Sequence, residues 1–144
     1  EMKQNNIKFK VIGDLDKLDM ITRNSLRKAE SYTMNNNGLV LCLAISYGGR
    51  QEIISAINKM IVDKKIKNSV KEENFSDYLY TFDMPDPDLL IRTGDEYRIS
   101  NFLLWQMAYT EIYFSKLFWP DFDENELDCA IEDFKSRDRR FGKV

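Results

Sequence analysis

The sequence predicts an α/β fold in which a mainly parallel sheet is flanked by helices. Short apolar stretches of strand length alternate along the chain with longer stretches in which apolar residues recur at helical spacing. Residues 39–45 read Leu-Val-Leu-Cys-Leu-Ala-Ile, and such a continuous apolar run is typical of a strand that is buried on both faces. Turn residues separate these stretches, as they do in successive strand–helix units. A length of 144 residues fits a single domain that spans the whole chain.

The first strand and the first helix are predicted in residues 7–12 and 18–35. Residues 7–12 alternate apolar and polar side chains before a Gly-Asp pair ends the pattern. We expect Asp14 or Asp16 to cap the helix, because a carboxylate accepts hydrogen bonds from the free N–H groups of a first turn. Gly38 is the candidate for the left-handed residue that closes this helix.

The second strand, residues 39–45, is followed by Gly48 and Gly49 and then by a helix that extends to about Asp63. Two interpretations of the glycine pair stay open. The pair forms a tight strand-to-helix turn, or it allows the backbone to approach a ligand closely.

The second half of the chain continues the alternation of predicted strands and helices. Residues 64–74 are charged and polar, which predicts a solvated connection. Asp123 and Glu126 have the spacing of a capping box before a helix with an apolar stripe. The other predicted elements are a short amphipathic helix (75–82), a strand behind a Pro (89–91), a short helix (102–109) and a last strand (112–114).

The composition narrows the classes of function. Hydrophobic residues make up 43% of the chain and charged residues 31%, which is ordinary for a globular protein. A net charge of −3 gives no basic field for nucleic acid, and no apolar run reaches the length of a membrane span. Cys42 and Cys129 lie in apolar contexts, and we expect buried, reduced thiols in a cytoplasmic protein. The chain has no His, but phosphate chemistry with Mg²⁺ needs only carboxylates and Arg.

The polar loop after the strand at residues 89–91 is the candidate functional site. It lies at the carboxyl end of a predicted strand, where open α/β sheets bind ligands. The next helix is predicted to begin at Ser100 or Asn101, so its free N–H groups and positive dipole end would face the loop. Arg92 and Arg98 offer planar donors for phosphate oxygens, and Ser100 offers a hydroxyl. Alternatively, both Arg side chains pair with neighbouring acidic residues as surface ion pairs.

A long composite motif surrounds this loop. It resembles the C-terminal signature of the cis-prenyltransferases of the undecaprenyl diphosphate synthase (isoprenyl transferase) type. The resemblance runs from Ile12-Gly13-Asp14 to Arg140-Phe141-Gly142 and implies the fold of that family. The residues that carry it most specifically are Arg92-Thr93-Gly94, Glu96, Arg98-Ile99-Ser100-Asn101-Phe102-Leu103-Leu104-Trp105-Gln106, Ala108-Tyr109, Glu111, Tyr113-Phe114 and Trp119-Pro120.

The resemblance implies a transferase. Members condense isopentenyl diphosphate with an allylic diphosphate, commonly farnesyl diphosphate. The product is a cis-polyprenyl diphosphate, a carrier lipid of cell-wall synthesis, which implies peripheral contact with a membrane. Diphosphate leaves the allylic carbon, and Mg²⁺ neutralises the negative charge that develops there.

The resemblance also assigns roles by position. Glu111 is implied as the carboxylate of the magnesium site, and Glu96 as an auxiliary catalytic residue near the substrate. The residues implied to hold the phosphates of isopentenyl diphosphate are Arg92, Arg98, Ile99 (through its backbone) and Ser100.

Three further positions bear on the site. Asp95 stands where the family usually has a small residue, often Gly, and Tyr97 stands where Gln or His is frequent. Arg140 belongs to an Arg-x-Gly sequence that resembles the family motif reaching the partner's active site in a homodimer. The alternative for Arg140 is a solvated basic tail.

We expect the chain to be the C-terminal portion of the family fold, since it begins at Glu1 and the resemblance starts well inside that fold. The Asp-Gly-Asn-Gly-Arg motif and the catalytic Asp of the family would belong to an N-terminal segment outside these residues. The isolated chain is therefore expected to be inactive. The alternative function is a non-catalytic accessory subunit of a heteromeric prenyltransferase.

Overall fold

The computed structural model describes residues 1–63 and 69–138. The chain forms two compact units, Glu1–Asp83 and Met84–Val144. Within the described residues, each unit contains one two-stranded parallel sheet with helices beside it, which agrees with the predicted class.

The first unit follows the predicted order of strand, helix, strand and helix. These elements begin and end within about two residues of their predicted bounds, which is the usual uncertainty of element ends. The third helix is shorter and starts earlier than the one predicted at residues 75–82. The elements are β1 (Lys8–Ile12), α1 (Met20–Thr33), β2 (Val40–Ala44), α2 (Gly49–Val62) and α3 (Glu72–Ser76).

Asp19 caps α1, so the prediction of Asp14 or Asp16 was wrong. The Asp19 carboxylate accepts hydrogen bonds from the N–H groups of Ile21 and Thr22, each at 2.9 Å. The hydrogen bonds from Thr22, ahead of that from Ile21, hold the pKa of Asp19 below its usual value. A short 3₁₀ turn, Leu15–Lys17, occupies the residues in which the cap was expected, and it delays the start of the helix.

The strands β1 and β2 pair in parallel from Lys8–Val40 to Ile12–Ala44. Burial of β2 on both faces was predicted, and this is also wrong for the described chain. Leu41 and Leu43 are each 40% exposed and Val40 is 46% exposed. The physical reason is that α1 packs against β1, while no described helix makes an extended contact with β2.

The core of the first unit includes a buried carboxylate. Glu52 of α2 is 1% exposed. Its Oε2 accepts a hydrogen bond from the Tyr47 hydroxyl at 2.5 Å, and its Oε1 accepts one from the Tyr80 N–H at 2.7 Å. Glu52 thus joins the turn before α2 to the segment after α3. The buried apolar residues of this unit are Phe9, Ile12, Ala56, Met60, Phe75 and Leu79.

The second unit contains β3 (Leu89–Arg92), β4 (Glu111–Phe114) and α4 (Glu124–Ser136). The strands are parallel, in the register Leu89–Glu111 to Arg92–Phe114, and α4 packs against β4. The predicted cap of α4 is confirmed, since the Asp123 carboxylate accepts a hydrogen bond from the Glu126 N–H at 3.0 Å.

The reciprocal half of the predicted capping box is absent from the hydrogen bonds of the described residues. The Glu126 carboxylate instead accepts a hydrogen bond from the Ser115 hydroxyl at 2.8 Å. Ser115 is 2% exposed and follows directly after β4. The side chain of Glu126 is therefore used to attach α4 to the end of β4.

The helix predicted at residues 102–109 does not form. These residues make a series of turns, and Ser100, Asn101 and Leu103 have φ angles of 48°, 65° and 41°. Non-glycine residues with left-handed backbone do not propagate a right-handed helix. Ser100 and Asn101 are consequently not helix caps, and the predicted contribution of a helix dipole to the loop is lost.

The two cysteine thiols are less buried than predicted. Cys42 is only half-buried, although this burial raises the pKa of its thiol, and Cys129 is exposed. Within residues 1–63 and 69–138, no helix combines the length and the apolar character needed to cross a membrane.

Candidate functional site

The predicted loop does follow the carboxyl end of β3. Arg92 is the last residue of that strand, and the loop turns back over the end of β4. The N–H of Gly94 donates to the carbonyl of Leu117 at 2.7 Å, and the N–H of Asp95 donates to the carbonyl of Ser115 at 3.1 Å. Gly94 has a φ of 87°, which favours glycine at this turn.

Ser115 is the residue that holds the loop in place, and no sequence motif indicated it. Its N–H donates to the carbonyl of Arg92 at 2.8 Å, and its carbonyl accepts the bond from Asp95. Its hydroxyl oxygen also accepts a hydrogen bond from the N–H of Leu117 at 3.2 Å. The only sequence signal is its position directly after a predicted strand.

Arg92 contains a buried hydrogen-bond donor that has no acceptor among the described residues. Its side chain is half-buried, and its Nε–H is fully buried without a hydrogen-bond partner among the described residues. A buried donor that loses its acceptor costs about 1–3 kcal/mol. An anion bound at the carboxyl end of β3 would remove that cost.

Arg98 and Glu96 form an ion pair within the loop. The side chains are 68% and 36% exposed, respectively. This contact matches the surface-pair alternative for Arg98. Because exposed pairs contribute only about 0–1 kcal/mol, a phosphate oxygen can replace the Glu96 carboxylate at little cost. The same loop contains the other predicted phosphate contacts, Ile99 and Ser100, and the Ile99 carbonyl accepts the N–H of Phe102 at 3.0 Å.

Asp95 and Tyr97, the two loop residues at which a departure from the family pattern is expected, contact each other. The Tyr97 hydroxyl donates a hydrogen bond to Asp95 Oδ1 at 3.0 Å, and this bond raises the pKa of Tyr97. The ring of Tyr97 lies 5.1 Å from that of Phe114 between centroids. The Asp95 carboxylate is thus held by a phenol donor beside the end of β4.

Glu111 lies at the opposite end of the sheet from Arg92. It is the first residue of β4 and pairs with Leu89, three residues before Arg92. At about 3.3 Å per residue this separation is roughly 10 Å along the strands. The structure therefore brings together Arg92 and the loop residues but does not bring Glu111 to them.

The Glu111 carboxylate is bound by Arg137, a residue that no motif in the sequence indicated. Arg137 Nη1 donates to Glu111 Oε2 at 2.7 Å, and Nη2 donates to the carbonyl of Ile112 at 3.1 Å. Arg137 Nε and Nη2 also bond Asp133 at 2.9 and 2.5 Å. The hydrogen bond to Glu111, ahead of those to Asp133, raises the pKa of Arg137. The four-residue spacing of Asp133 and Arg137 was a sequence signal for this cluster.

The described residues do not by themselves fit a magnesium ion. No group of three Asp, Glu, Cys or His side chains converges anywhere in residues 1–63 and 69–138. Glu111 is a single carboxylate already bound by a guanidinium. The predicted phosphate ligand Arg140 lies outside the described residues.

The first unit contains a separate cavity of about 1220 Å³ at the carboxyl ends of β1 and β2. Gly13 lines it with a φ of 119°, and a Cβ there would overlap the carbonyl oxygen of Ile45. Gly48 also lines it, at the N-cap of α2, so the glycine pair does form the strand-to-helix turn. Polar and aromatic side chains complete the lining, among them Asp14, Ser46, Arg50, Lys59, Tyr78 and Tyr80.

Comparison of the sequence with known proteins gives one consistent result. Residues 1–142 match the family model described as "Putative undecaprenyl diphosphate synthase". The chain is 51% identical to the isoprenyl transferase of Clostridium tetani over 148 residues, which cover 100% of this chain and 58% of that protein. It is 49% identical to the isoprenyl transferase of Fusobacterium nucleatum, covering 99% of this chain and 61% of that one.

Two solved structures resemble the structure of this chain closely. One is a probable undecaprenyl diphosphate synthase from Campylobacter jejuni, with a TM-score of 0.87, 40% identity and coverage of 99% of this chain and 66% of that one. The other is the lavandulyl diphosphate synthase of Lavandula x intermedia in complex with dimethylallyl diphosphate, with a TM-score of 0.92 and 38% identity. That match covers 97% of this chain and 62% of the synthase.

These matches confirm the predicted fold class and the resemblance that the loop motif carried. The chain spans 58–66% of the length of these relatives. The chain belongs to the undecaprenyl diphosphate synthase family of prenyltransferases.

Proposed function

We propose that this chain supplies the isopentenyl diphosphate site of a cis-prenyltransferase. The reaction would join isopentenyl diphosphate to an allylic diphosphate such as farnesyl diphosphate and give a cis-polyprenyl diphosphate carrier lipid. The single observation that carries the proposal is the buried, unpartnered Nε–H of Arg92 at the carboxyl end of β3. Family membership supplies the class of ligand.

The loop residues would bind and orient the diphosphate. Arg92 offers a half-buried guanidinium, and charge-assisted hydrogen bonds strengthen where water is excluded. Arg98 would exchange its exposed contact with Glu96 for a phosphate oxygen, leaving Glu96 near the substrate as the auxiliary acid. Ser100 and the backbone of Ile99 would complete the set, since both belong to the same loop.

The allylic substrate, the metal and the assembly are proposals that rest on the family. The bound dimethylallyl diphosphate of the Lavandula enzyme supports an allylic diphosphate as the second substrate. Mg²⁺, when bound, would neutralise charge on the released diphosphate, with Glu111 as the carboxylate of this chain proposed for it. The described residues do not by themselves form the complete metal site. We also propose a cytoplasmic homodimer in which Arg140 contacts the partner's diphosphate and the lipid product brings the enzyme to a membrane.

Calorimetric titration of the 144-residue chain with inorganic diphosphate tests the binding site. Arg92→Lys removes the buried Nε–H but keeps the charge, and Arg98→Ala removes the exposed donor. Each should weaken binding about ten- to hundredfold, the equivalent of one charge-assisted hydrogen bond. Arg23→Ala is the matched control, since Arg23 pairs with Asp16 in the first unit. Unchanged affinity in both loop variants would overturn the site assignment.

Turnover is tested separately with radiolabelled isopentenyl diphosphate and farnesyl diphosphate, with and without EDTA. We expect none from the 144-residue chain, because the implied catalytic Asp and allylic phosphate loop lie outside it. A chimera in which these residues replace the matching 58% of the Clostridium tetani enzyme should form polyprenyl product. EDTA should abolish that product. An inactive chimera that is folded and binds diphosphate would favour the accessory-subunit function.

A further inference from the structure

The helix α1 is held against β1 by two of its own side chains. The Thr33 hydroxyl accepts a hydrogen bond from the Phe9 N–H, and the Glu30 carboxylate accepts one from the Val11 N–H, each at 3.0 Å. Thr33 is 2% exposed, so it marks the inner side of the helix. Because a helix repeats every 3.6 residues, these contacts turn a fixed set of other residues towards solvent.

We call this set the outer face of α1. Its residues are three, four or seven places apart, as neighbours on one side of a helix are. Large apolar side chains form part of the face, and three of them are 66–78% exposed. The residues of the outer face are Met20, Ile21, Asn24, Arg27, Lys28 and Tyr32.

The outer face carries positive charge that no carboxylate of α1 offsets. Arg27 and Lys28 are both exposed. A third cation lies beside the face, since Lys3 Nζ is 4.8 Å from the centroid of the Tyr32 ring. Glu30 is the one acidic residue in the sequence of α1, and its carboxylate is bound to β1 instead. The face is therefore basic, although the whole chain has a net charge of −3.

A shallow cavity of about 780 Å³ lies on the outer face. Its lining includes the polar and charged side chains of Asn24, Arg27, Lys28 and Ser31 and the ring of Tyr32. The charged and amide groups donate hydrogen bonds, and Arg and Lys suit phosphate oxygens. A Tyr ring has an apolar body and a polar hydroxyl, which suits a boundary between hydrocarbon and water.

We propose that the outer face of α1 docks on an anionic membrane surface. The phosphate groups of acidic phospholipids would lie against Arg27 and Lys28, while Met20 and Ile21 enter the interface below the headgroups. Cations and apolar side chains on one surface are the two features that bind a protein to such a bilayer. This contact needs no lipid product, so it is independent of the diphosphate site proposed above.

Other occupants use only part of the face. A nucleic acid would pair with the cations but leave Met20 and Ile21 in water. A protein segment packed over the apolar residues would have to desolvate Arg27 and Lys28, to which α1 offers no carboxylate. An anionic bilayer accommodates both kinds of side chain at once.

Co-sedimentation with lipid vesicles, in the absence of isoprenoid substrates, tests the proposal. The probes are vesicles of phosphatidylcholine alone and of phosphatidylcholine mixed with phosphatidylglycerol. Both the 144-residue chain and the chimera with the Clostridium tetani enzyme are used, so that the face is also tested within a complete fold. We expect binding to the mixed vesicles, little binding to phosphatidylcholine alone, and a loss of binding as salt screens the cations.

Substitutions on the outer face identify the surface that binds. Combined Arg27→Gln and Lys28→Gln should weaken binding about 25-fold, or about fivefold for each cation. The matched control is Lys116→Gln with Lys135→Gln, which neutralises two exposed cations of the second unit and should change binding less than about twofold.

The apolar contribution is tested in the same way. Ile21→Ser should weaken binding about tenfold, since it removes an apolar side chain from the interface. Ile61→Ser is its control, because Ile61 is similarly exposed but lies on α2, and it should leave binding unchanged. All four variants change exposed residues, and circular dichroism verifies that each is folded.

Four results would overturn the proposal. The first is a folded chain that does not bind the mixed vesicles. The second is binding that the control variants weaken as much as the variants of the outer face do. The third is binding by the chain but not by the chimera, which would mean that another segment of the fold covers α1. The fourth is binding that Ile21→Ser leaves unchanged and that a short DNA duplex abolishes, which would make a nucleic acid the occupant.

Discussion

The hydroxyl group of Tyr97 donates a hydrogen bond to the carboxylate of Asp95 across 3.0 Å. These are the two positions at which the resemblance implies a departure from the family pattern. Their hydrogen bond couples the two side chains physically. The negative charge of Asp95 is partly satisfied by the phenol donor that Tyr97 supplies.

Replacement of Asp95 by Asn should lower the pKa of Tyr97 towards its ordinary value of 10.0, because the carboxylate is the main cause of the upward shift. A pKa raised in the folded state contributes stability at pH values below 10. That contribution is lost as the pH rises through the folded pKa. NMR titration of ring-labelled tyrosine measures the shift, and urea unfolding at pH 8 and 11 measures its effect on stability. A Tyr97 pKa that is the same in Asp95→Asn and the parent chain would contradict the coupling.

Glu52→Ala should destabilise the first unit by about 1–3 kcal/mol, since it removes a buried side chain and leaves its two half-buried donors without that acceptor. The partners are the Tyr47 hydroxyl and the Tyr80 N–H. Glu52→Gln keeps one acceptor oxygen and should cost less. Urea denaturation compares the variants, and equal stability of Glu52→Ala and the parent would show that the buried contacts contribute nothing net.

Two glycine substitutions separate steric overlap from backbone strain. Gly13→Ala should cost about 2–5 kcal/mol, because the new Cβ meets the Ile45 carbonyl in addition to adopting a left-handed φ. Gly94→Ala has only the left-handed φ, with its nearest neighbour Phe118 Cδ1 at 3.8 Å, and should cost about 1–2 kcal/mol. Thermal unfolding provides the comparison, and a larger loss at Gly94 would reverse the argument.

Glu111 and Arg137 should show a coupling energy of about 1 kcal/mol in a double-mutant cycle with Glu111→Gln and Arg137→Met. The side chains are only 30% and 29% exposed, so water screens them incompletely. The exposed pair of Lys135 and Glu132 is the control and should show no measurable coupling. No coupling between Glu111 and Arg137 would indicate that the contact is not maintained in solution.

Arg98→Ala in the active chimera should raise the KM for isopentenyl diphosphate about ten- to hundredfold, the loss of one charge-assisted hydrogen bond. The KM for farnesyl diphosphate should change much less. Steady-state kinetics with each substrate varied in turn make the measurement. An equal rise in both KM values would show that Arg98 does not act specifically in the isopentenyl diphosphate site.

Local patterns in the sequence were sufficient to predict most of the helices and strands. The alternation of residues 7–12, the apolar run of residues 39–45 and the Asp123 cap all appear in the structure. The loop after β3 was placed correctly at the carboxyl end of its strand. Each of these predictions depends on residues close together in sequence, for which propensity and spacing are informative.

Apart from the N-cap of α1, which is a local error, the main failures involve contacts between residues that are distant in sequence. The apolar pattern after Asn101 is compatible with a helix, but Ser100, Asn101 and Leu103 have left-handed backbone, which the pattern of apolar residues does not reveal. Burial of β2 could not be judged from its own residues, because burial depends on what packs beside the strand. The Arg137–Glu111 contact joins positions 26 residues apart, and the four-residue spacing of Asp133 and Arg137 indicated only the local half of this cluster.

The hydrogen bonds of Ser115 also have a dynamic consequence. Its hydroxyl is attached to Glu126 in the first turn of α4, while its backbone holds Arg92 and Asp95. Helix and loop are therefore linked through one buried residue, and they should open together as a single cooperative unit rather than fluctuate separately. The rigidity of the loop that we propose to bind phosphate is then set by how firmly the start of α4 remains docked on β4.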